Sequence, residues 1–108
     1  MQGTVETEAK EYAPLEVSRV QAYPFKEGNA VGHVVGIATV ELNGQFLVRG
    51  IRVMSGDNGR FVAFPADPFW HGTDDEPHRS VCCPTSVGLR ERIEAAVLAE
   101  FDREGKEG

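Results

Sequence analysis

The chain has 108 residues and a mass of 11.8 kDa, a length for one domain that excludes a large multi-part enzyme. Its 41% apolar and 26% charged residues are the balance of a soluble globular domain, and no apolar run approaches the ~20 residues of a membrane helix. The formal net charge of −6 sits in the two ends and one loop: residues 1–16 carry −3, residues 102–108 carry −1, and Asp67, Asp74, Asp75 and Glu76 carry −4, which leaves the rest at +2. An acidic balance so distributed neither proves nor excludes nucleic-acid binding.

In chain order, residues 1–14 are polar, rich in Glu and Thr, and end in Ala13-Pro14, so they read as a flexible acidic N-terminal arm. They lack the apolar run after a basic start that marks a secretory signal, and a cytoplasmic location is the expectation. Leu15–Tyr23 is an imperfectly alternating strand, stopped by Pro24, with turn chemistry at Lys26-Glu27-Gly28-Asn29. His33–Leu42 alternates well but carries apolar residues on both faces, which places it in the middle of a sheet.

Asn43-Gly44 is a strong hairpin signal, because both residues tolerate positive φ. The returning strand, Gln45–Met54, breaks its alternation at Arg49-Gly50, as a β-bulge at Gly50 would. Ser55–Gly59 reads as a turn and Arg60–Pro65 as a fourth strand. Residues 66–77 form a loop with two prolines and four carboxylates, and His78–Cys83 returns as a short fifth strand. Thr85 or Ser86 then caps a helix running to about Arg103, with Leu89, Ile93, Ala96, Val97 and Phe101 on one face.

The fold class is therefore α+β: an antiparallel meander of four to five strands with one C-terminal helix packed on it. One helix covers one sheet face, so self-association through an edge or the uncovered face is the natural remedy. A homodimer formed through the sheet is expected.

The run IRVMSGDNGRFVAFP resembles the signature of the SpoVG family of bacterial regulators, carried by Ile51-Arg52-Val53, Asn58-Gly59, Phe61-Val62-Ala63 and Pro65. The helix segment Arg90–Gly105 is similar to the family's C-terminal helix, and the likeness covers about residues 15–105 as one domain. This resemblance implies a dimeric, site-specific DNA-binding protein, with RNA binding in some members, that influences septation or sporulation. It implies no enzymatic activity, no cofactor and no small-molecule substrate. Two departures stand out. Where relatives carry a basic loop after the F-V-A-x-P strand, this chain has Ala66–Trp70 followed by Asp74-Asp75-Glu76, and it adds the acidic N-terminal extension.

The candidate nucleic-acid contacts are Arg90 and Arg92, supported by Arg60 and Arg79. Arginine suits phosphate because its planar fork donates two parallel hydrogen bonds, and the first turn of a helix favours an anion. The competing reading pairs these arginines with Glu94, Glu91 or the acidic loop. Arg52 reads as structural, pairing with Asp57, and Asn58-Gly59 as residues that fix a turn. Cys82, Cys83, His71 and His78 are weighed for zinc and set aside, since adjacent cysteines on a strand face opposite ways; buried, unreactive thiols are expected instead. Phe69-Trp70-His71 reads either as a base-stacking platform or as packing over the core edge or a dimer partner. No nucleophile-and-base arrangement or glycine-rich phosphate loop emerges, so an enzyme is not expected. The rival to the nucleic-acid reading is a protein–protein interaction module of the same fold, engaging a basic partner through its acidic arm and loop.

Overall fold

The computed structural model describes residues 14–26 and 32–107. Residues 1–13 of the acidic arm and most of the turn expected at Lys26–Asn29 lie outside the described residues. Four strands, β1 (Val17–Pro24), β2 (Val34–Leu42), β3 (Phe46–Gly56) and β4 (Gly59–Ala63), pair in the order β1-β2-β3-β4, every pair antiparallel. One helix, α1 (Val87–Glu107), follows. This is the expected meander with a C-terminal helix, and β2 takes the interior place that its two apolar faces indicate.

The β2–β3 hairpin turns on Asn43 and Gly44, at φ 53° and 64°, and the Gln45 amide donates to the Leu42 carbonyl at 2.9 Å. Two successive positive φ values give the turn whose twist matches that of its strands. Asn43 also ties in the start of β1: its Oδ1 accepts from the Glu16 amide at 2.8 Å, and the Gly44 amide donates to Ser18 Oγ at 2.8 Å. Further along β3, Val48 faces Val40 and Ile51 faces Ala38, so Thr39 alone opposes Arg49 and Gly50. This is the expected bulge, with Gly50 at φ 81°, and it keeps Val48 and Ile51 on the same face of the sheet.

Boundaries differ from the sequence reading in ways the backbone explains. β3 runs on to Gly56, which narrows the turn to Asp57-Asn58, and Pro24 is the last residue of β1. The expected fifth strand is corrected: residues 78–83 add no strand to the sheet, and the pairing found there is an isolated bridge between Ala66 and Ser80. The edge of β4 that a fifth strand would need is already taken. Glu94 Oε2 accepts the Val62 amide of β4 at 3.1 Å, so a helix carboxylate blunts an edge open to pairing.

The inner face of the sheet contributes Ala22, Ala38, Val40, Leu42, Ile51, Val53 and Val62 to the core, joined by Phe64 just beyond β4. From α1 come Ile93, Val97 and Phe101, at the helical spacing seen in the sequence. Ser86 Oγ accepts the Leu89 amide at 3.2 Å and so caps the helix. α1 packs on both edge strands, β1 and β4, as well as on β2. Four strands in sequential order bring both edges to one helix only by curling around it.

Closure of that curl depends on one small residue. A Cβ on Gly36 in β2 would stand 2.6 Å from Phe101 Cε2 and 3.0 Å from the Tyr23 carbonyl oxygen. With no side chain at that position, the Phe101 ring lies directly against the sheet. Gly36→Ala is expected to overpack this contact and to lower stability by about 1–3 kcal/mol. Urea unfolding checks it, the midpoint falling at unchanged slope.

Candidate functional site

The structure separates the four arginines singled out from the sequence. Arg90 and Arg92 stand on the N-terminal part of α1. The Arg90 guanidinium lies 5.1 Å from the Phe64 ring centroid, and Arg92 Nη2 donates to the Leu15 carbonyl at 3.4 Å. Among the described residues neither has a carboxylate partner. Glu94, the partner that the competing reading offers Arg90, is occupied with Val62. A ring face and a carbonyl hold these side chains without cancelling their charge.

Arg60 belongs to a different place and a different task. It forms an ion pair with Asp102 and lies 5.0 Å from the Phe101 ring centroid, clipping β4 to the far part of α1. Asp102 is ten residues beyond Arg92, about 15 Å along the helix axis.

Arg79 sits in the excursion between β4 and α1. Its Nε and Nη2 donate to the two Glu76 carboxylate oxygens at 3.1 and 3.0 Å, and its guanidinium lies 3.7 Å from the Trp70 ring centroid. The Trp70 indole N–H donates to the Glu76 carbonyl at 2.9 Å. The Asp67 amide donates to the Arg79 carbonyl at 2.8 Å, and Asp67 Oδ1 accepts the Phe69 amide at 2.9 Å. Trp70 therefore packs within this excursion, under Arg79, while Phe69 is 85% exposed. The hydrogen bonds from Arg79 hold the Glu76 carboxyl below its ordinary pKa, and the same bonds raise that of Arg79.

Cys82 and Cys83 are both free and exposed, which corrects the expectation of buried thiols. Residues 78–83 sit outside the sheet and so are not covered by it. Among the described residues, no three His, Cys, Asp or Glu side chains gather where they could hold a metal ion.

A surface that the sequence reading did not single out is the outer face of the sheet, opposite α1. Cross-strand register puts Tyr23, Ile37, Arg52 and Ala63 in one row and Arg19, Glu41 and Leu47 in another. Arg19, Gln21, Thr39 and Arg49 line a shallow depression of ≈ 350 Å³ between the rows. Arg19 and Arg49 are exposed and have no ion pair among the described residues. The pleat carries the signal for this face, since side chains two apart share it; the bulge, which shifts the parity of β3, conceals it from a simple count.

With this geometry in view, the comparisons with known proteins are specific. The SpoVG family model matches residues 15–103, from just before β1 to within the last turns of α1. The chain belongs to the SpoVG family. Among its relatives, a protein of Brevibacillus brevis named "Putative septation protein SpoVG" is 42% identical over 93 residues, covering 86% of this chain and 90% of its own. Proteins of the same name from Priestia megaterium and an Anaeromyxobacter species are 40% and 33% identical over 92 and 94 residues, covering 88% and 89% of their own lengths.

The SpoVG signature residues fall on the β3–β4 hairpin. Ile51, Val53 and Val62 are buried in the core. Arg52 does not pair with Asp57, as the sequence suggests; its Nη2 donates to the Phe64 carbonyl at 3.0 Å, bracing the chain where it leaves β4. Gly59 closes the hairpin at φ 117° beside Asn58. Pro65 lies against Gly50, where an added Cβ would meet its ring at 3.6 Å. The Phe61 ring leans on Gly56, where an added Cβ would stand only 3.0 Å from its Cε1. Ala63 stays half-buried on the outer face.

The single tryptophan makes the excursion directly observable. Arg79→Ala is expected to shift Trp70 emission to the red without lowering the thermal midpoint of the domain. Glu76 has a lowered pKa in the folded protein, so its contribution is present above the ordinary carboxylate value and is lost as pH falls through the lowered one. Trp70 emission should therefore hold steady through the ordinary carboxylate range and change only below it.

Proposed function

We propose that this chain is a homodimeric, site-specific nucleic-acid-binding regulator, with no enzymatic activity, acting in septation- or sporulation-linked gene control. The family and the names of its relatives support the septation setting. The observation that carries nucleic-acid binding is the pair Arg90 and Arg92: exposed, on the first turns of α1, and free of carboxylate partners among the described residues.

Phosphate suits this place. The amides of Val87 and Gly88 belong to the open first turn, that of Leu89 being taken by Ser86 Oγ, and no acidic residue occupies that turn. Residues two apart on a helix diverge by about 200°, so one of the two guanidinium groups faces a given stretch of backbone and the other reaches away from it. Arg60 and Arg79, each neutralised by its own carboxylate, contribute through the shape they maintain. Contacts of the Arg90 and Arg92 kind position a protein on nucleic acid, and base readout is added by other groups.

Self-association in this reading moves from the sheet, where the sequence suggests it, to an apolar end of the molecule. Phe46, Val81 and Val87 are 63%, 60% and 72% exposed, and Leu15, Phe46 and Leu89 line an apolar groove of ≈ 200 Å³ nearby. A second copy covering this end would bury exposed apolar side chains without occupying the outer sheet face. Arg90, over Phe64, and Arg92, bonded to the Leu15 carbonyl, border the same groove, so the contact has to leave their guanidinium groups outside it.

Fluorescence anisotropy with labelled duplex DNA and single-stranded RNA, at several salt concentrations, tests the proposal. The protein should bind with an affinity that falls steeply with salt. The Arg90→Ala/Arg92→Ala variant should lose about tenfold or more in affinity, its salt slope becoming shallower by about one to two. A wild-type protein that binds neither probe at low salt would overturn this reading and favour a protein-interaction module.

A further inference from the structure

We infer that the outer face of the sheet is a second nucleic-acid surface, one that takes single strands by base stacking. The inference rests on the nucleic-acid reading above and assigns it a site distinct from Arg90 and Arg92.

Four strands present this face, and α1 covers none of it. Tyr23 on β1 and Phe61 on β4 lie at its two borders, 52% and 45% exposed. Tyr23 shares a row with Ile37, and Phe61 rests on the bare backbone of Gly56. Three strand spacings separate the border strands, about 14 Å, and recognition modules built on a four-stranded sheet stack roughly two or three bases on the sheet face. Beside the rings the face supplies cations, Arg52 in the Tyr23 row and Arg49 and Arg19 further along the strands toward the β2–β3 hairpin. Arg19 and Arg49 are exposed without ion pairs among the described residues, and Arg52 is fixed by its bond to the Phe64 carbonyl. The carboxylate among them, Glu41, is engaged by Ser18 Oγ at 3.1 Å. Three arginines and one carboxylate give the face a net +2 on a chain whose total is −6.

That charge decides the occupant. A second copy docked across a two-fold axis would set the same patch against itself, arginines facing arginines. The apolar side chains here fall in two adjoining rows, Tyr23 beside Ile37 and Phe61 beside Met54, with Arg52 next to Ile37, so an occupant must meet rings and cations together. A single strand answers both features, since its phosphates take up the positive charge and its bases present flat faces to the rings. Duplex DNA does not, because its bases are already stacked on one another.

The test compares Tyr23→Leu/Phe61→Leu and Arg49→Gln with wild type and with Arg90→Ala/Arg92→Ala. The probes are a labelled single-stranded RNA and a single-stranded DNA of about 16 nucleotides, the upper range for one small domain, and a duplex of the same sequence. Leucine keeps the apolar cover and removes the ring, while Arg49→Gln changes an exposed side chain and spares the fold. Both sheet variants should lose single-strand affinity, about tenfold for each ring removed, at unchanged duplex affinity, thermal midpoint and molecular mass in solution. Equal losses on RNA and DNA would mean that base and phosphate alone are read; a loss on RNA only would assign a share to the 2′-hydroxyl. Wild-type single-strand affinity in both sheet variants, with binding lost in Arg90→Ala/Arg92→Ala, would overturn this inference and leave the proposed function standing. A fall to monomer mass in either sheet variant would overturn it in favour of a protein interface. No binding of any probe by the wild type would sink the proposed function and this surface together.

Discussion

One helix has to serve as the whole cover of a four-stranded sheet, and the rest of the molecule follows from how it does so. A flat sheet four strands wide presents more apolar surface than a helix about 10 Å across can hide. Here the sheet curls until both of its edge strands meet α1, so Ile93, Val97 and Phe101 close a core fed from all four strands. The curl needs a place where backbone and ring come together, and Gly36 provides it by leaving the sheet bare under Phe101. It also solves the edge problem on one side, because the helix delivers Glu94 to the exposed amide of β4. The cost is that, among the described residues, the one helix is spent on the inner face.

What remains outside is then sorted by electrostatics. Arg60 and Arg79 meet carboxylates and aromatic rings, and their work is to hold the helix and the β4–α1 excursion in place. Arg90 and Arg92 meet a ring and a carbonyl, and Arg19 and Arg49 meet neither carboxylate nor ring among the described residues. A carboxylate partner neutralises a guanidinium at long range, whereas a ring or carbonyl only orients it. The same residue type thus divides into structural clips and available cations, and this division, more than the net charge of −6, governs what the surface attracts. The acidic residues 74–76 weigh less against anion binding than their number suggests, since Glu76 is spent on Arg79.

Much of the fold was legible in the sequence because it rests on local rules. Asn43-Gly44 fixed a hairpin through backbone φ, the broken alternation at Arg49-Gly50 marked the bulge, and the 3.6-residue spacing of Ile93, Val97 and Phe101 marked the buried face of α1. The misses were of another kind. Whether His78–Cys83 joins the sheet depends on whether the edge of β4 is vacant, and that is settled by Glu94 on the distant helix, which binds Val62. The partners of Arg52 and Arg90 failed for the same reason, since proximity along the chain proposed Asp57 and Glu94 while the fold supplied Phe64 for both. Arg19 drew no notice at all, because an arginine on a strand gains meaning only from the row it stands in.

That dependence on rows bears on how the two arginine sets act together. In the proposed reading Arg90 and Arg92 are charges at a helix end, about 200° apart around its axis and beside the amides of its first turn. The outer sheet face offers a plane in which Tyr23, Arg52 and Phe61 keep fixed separations, because each is anchored by register or by a backbone contact. A point of charge suits the capture of any phosphate backbone, and a plane of rings and guanidinium groups suits discrimination between stacked and unstacked bases. Since the helix end and the outer face lie on opposite sides of the sheet, one strand engaging both must pass around an edge. The edge of β4 is blunted by Glu94, whereas β1 has Arg19 on the outer face and, at its start, the Leu15 carbonyl that receives Arg92. For one strand to engage both proposed surfaces, the β1 side is therefore the open route.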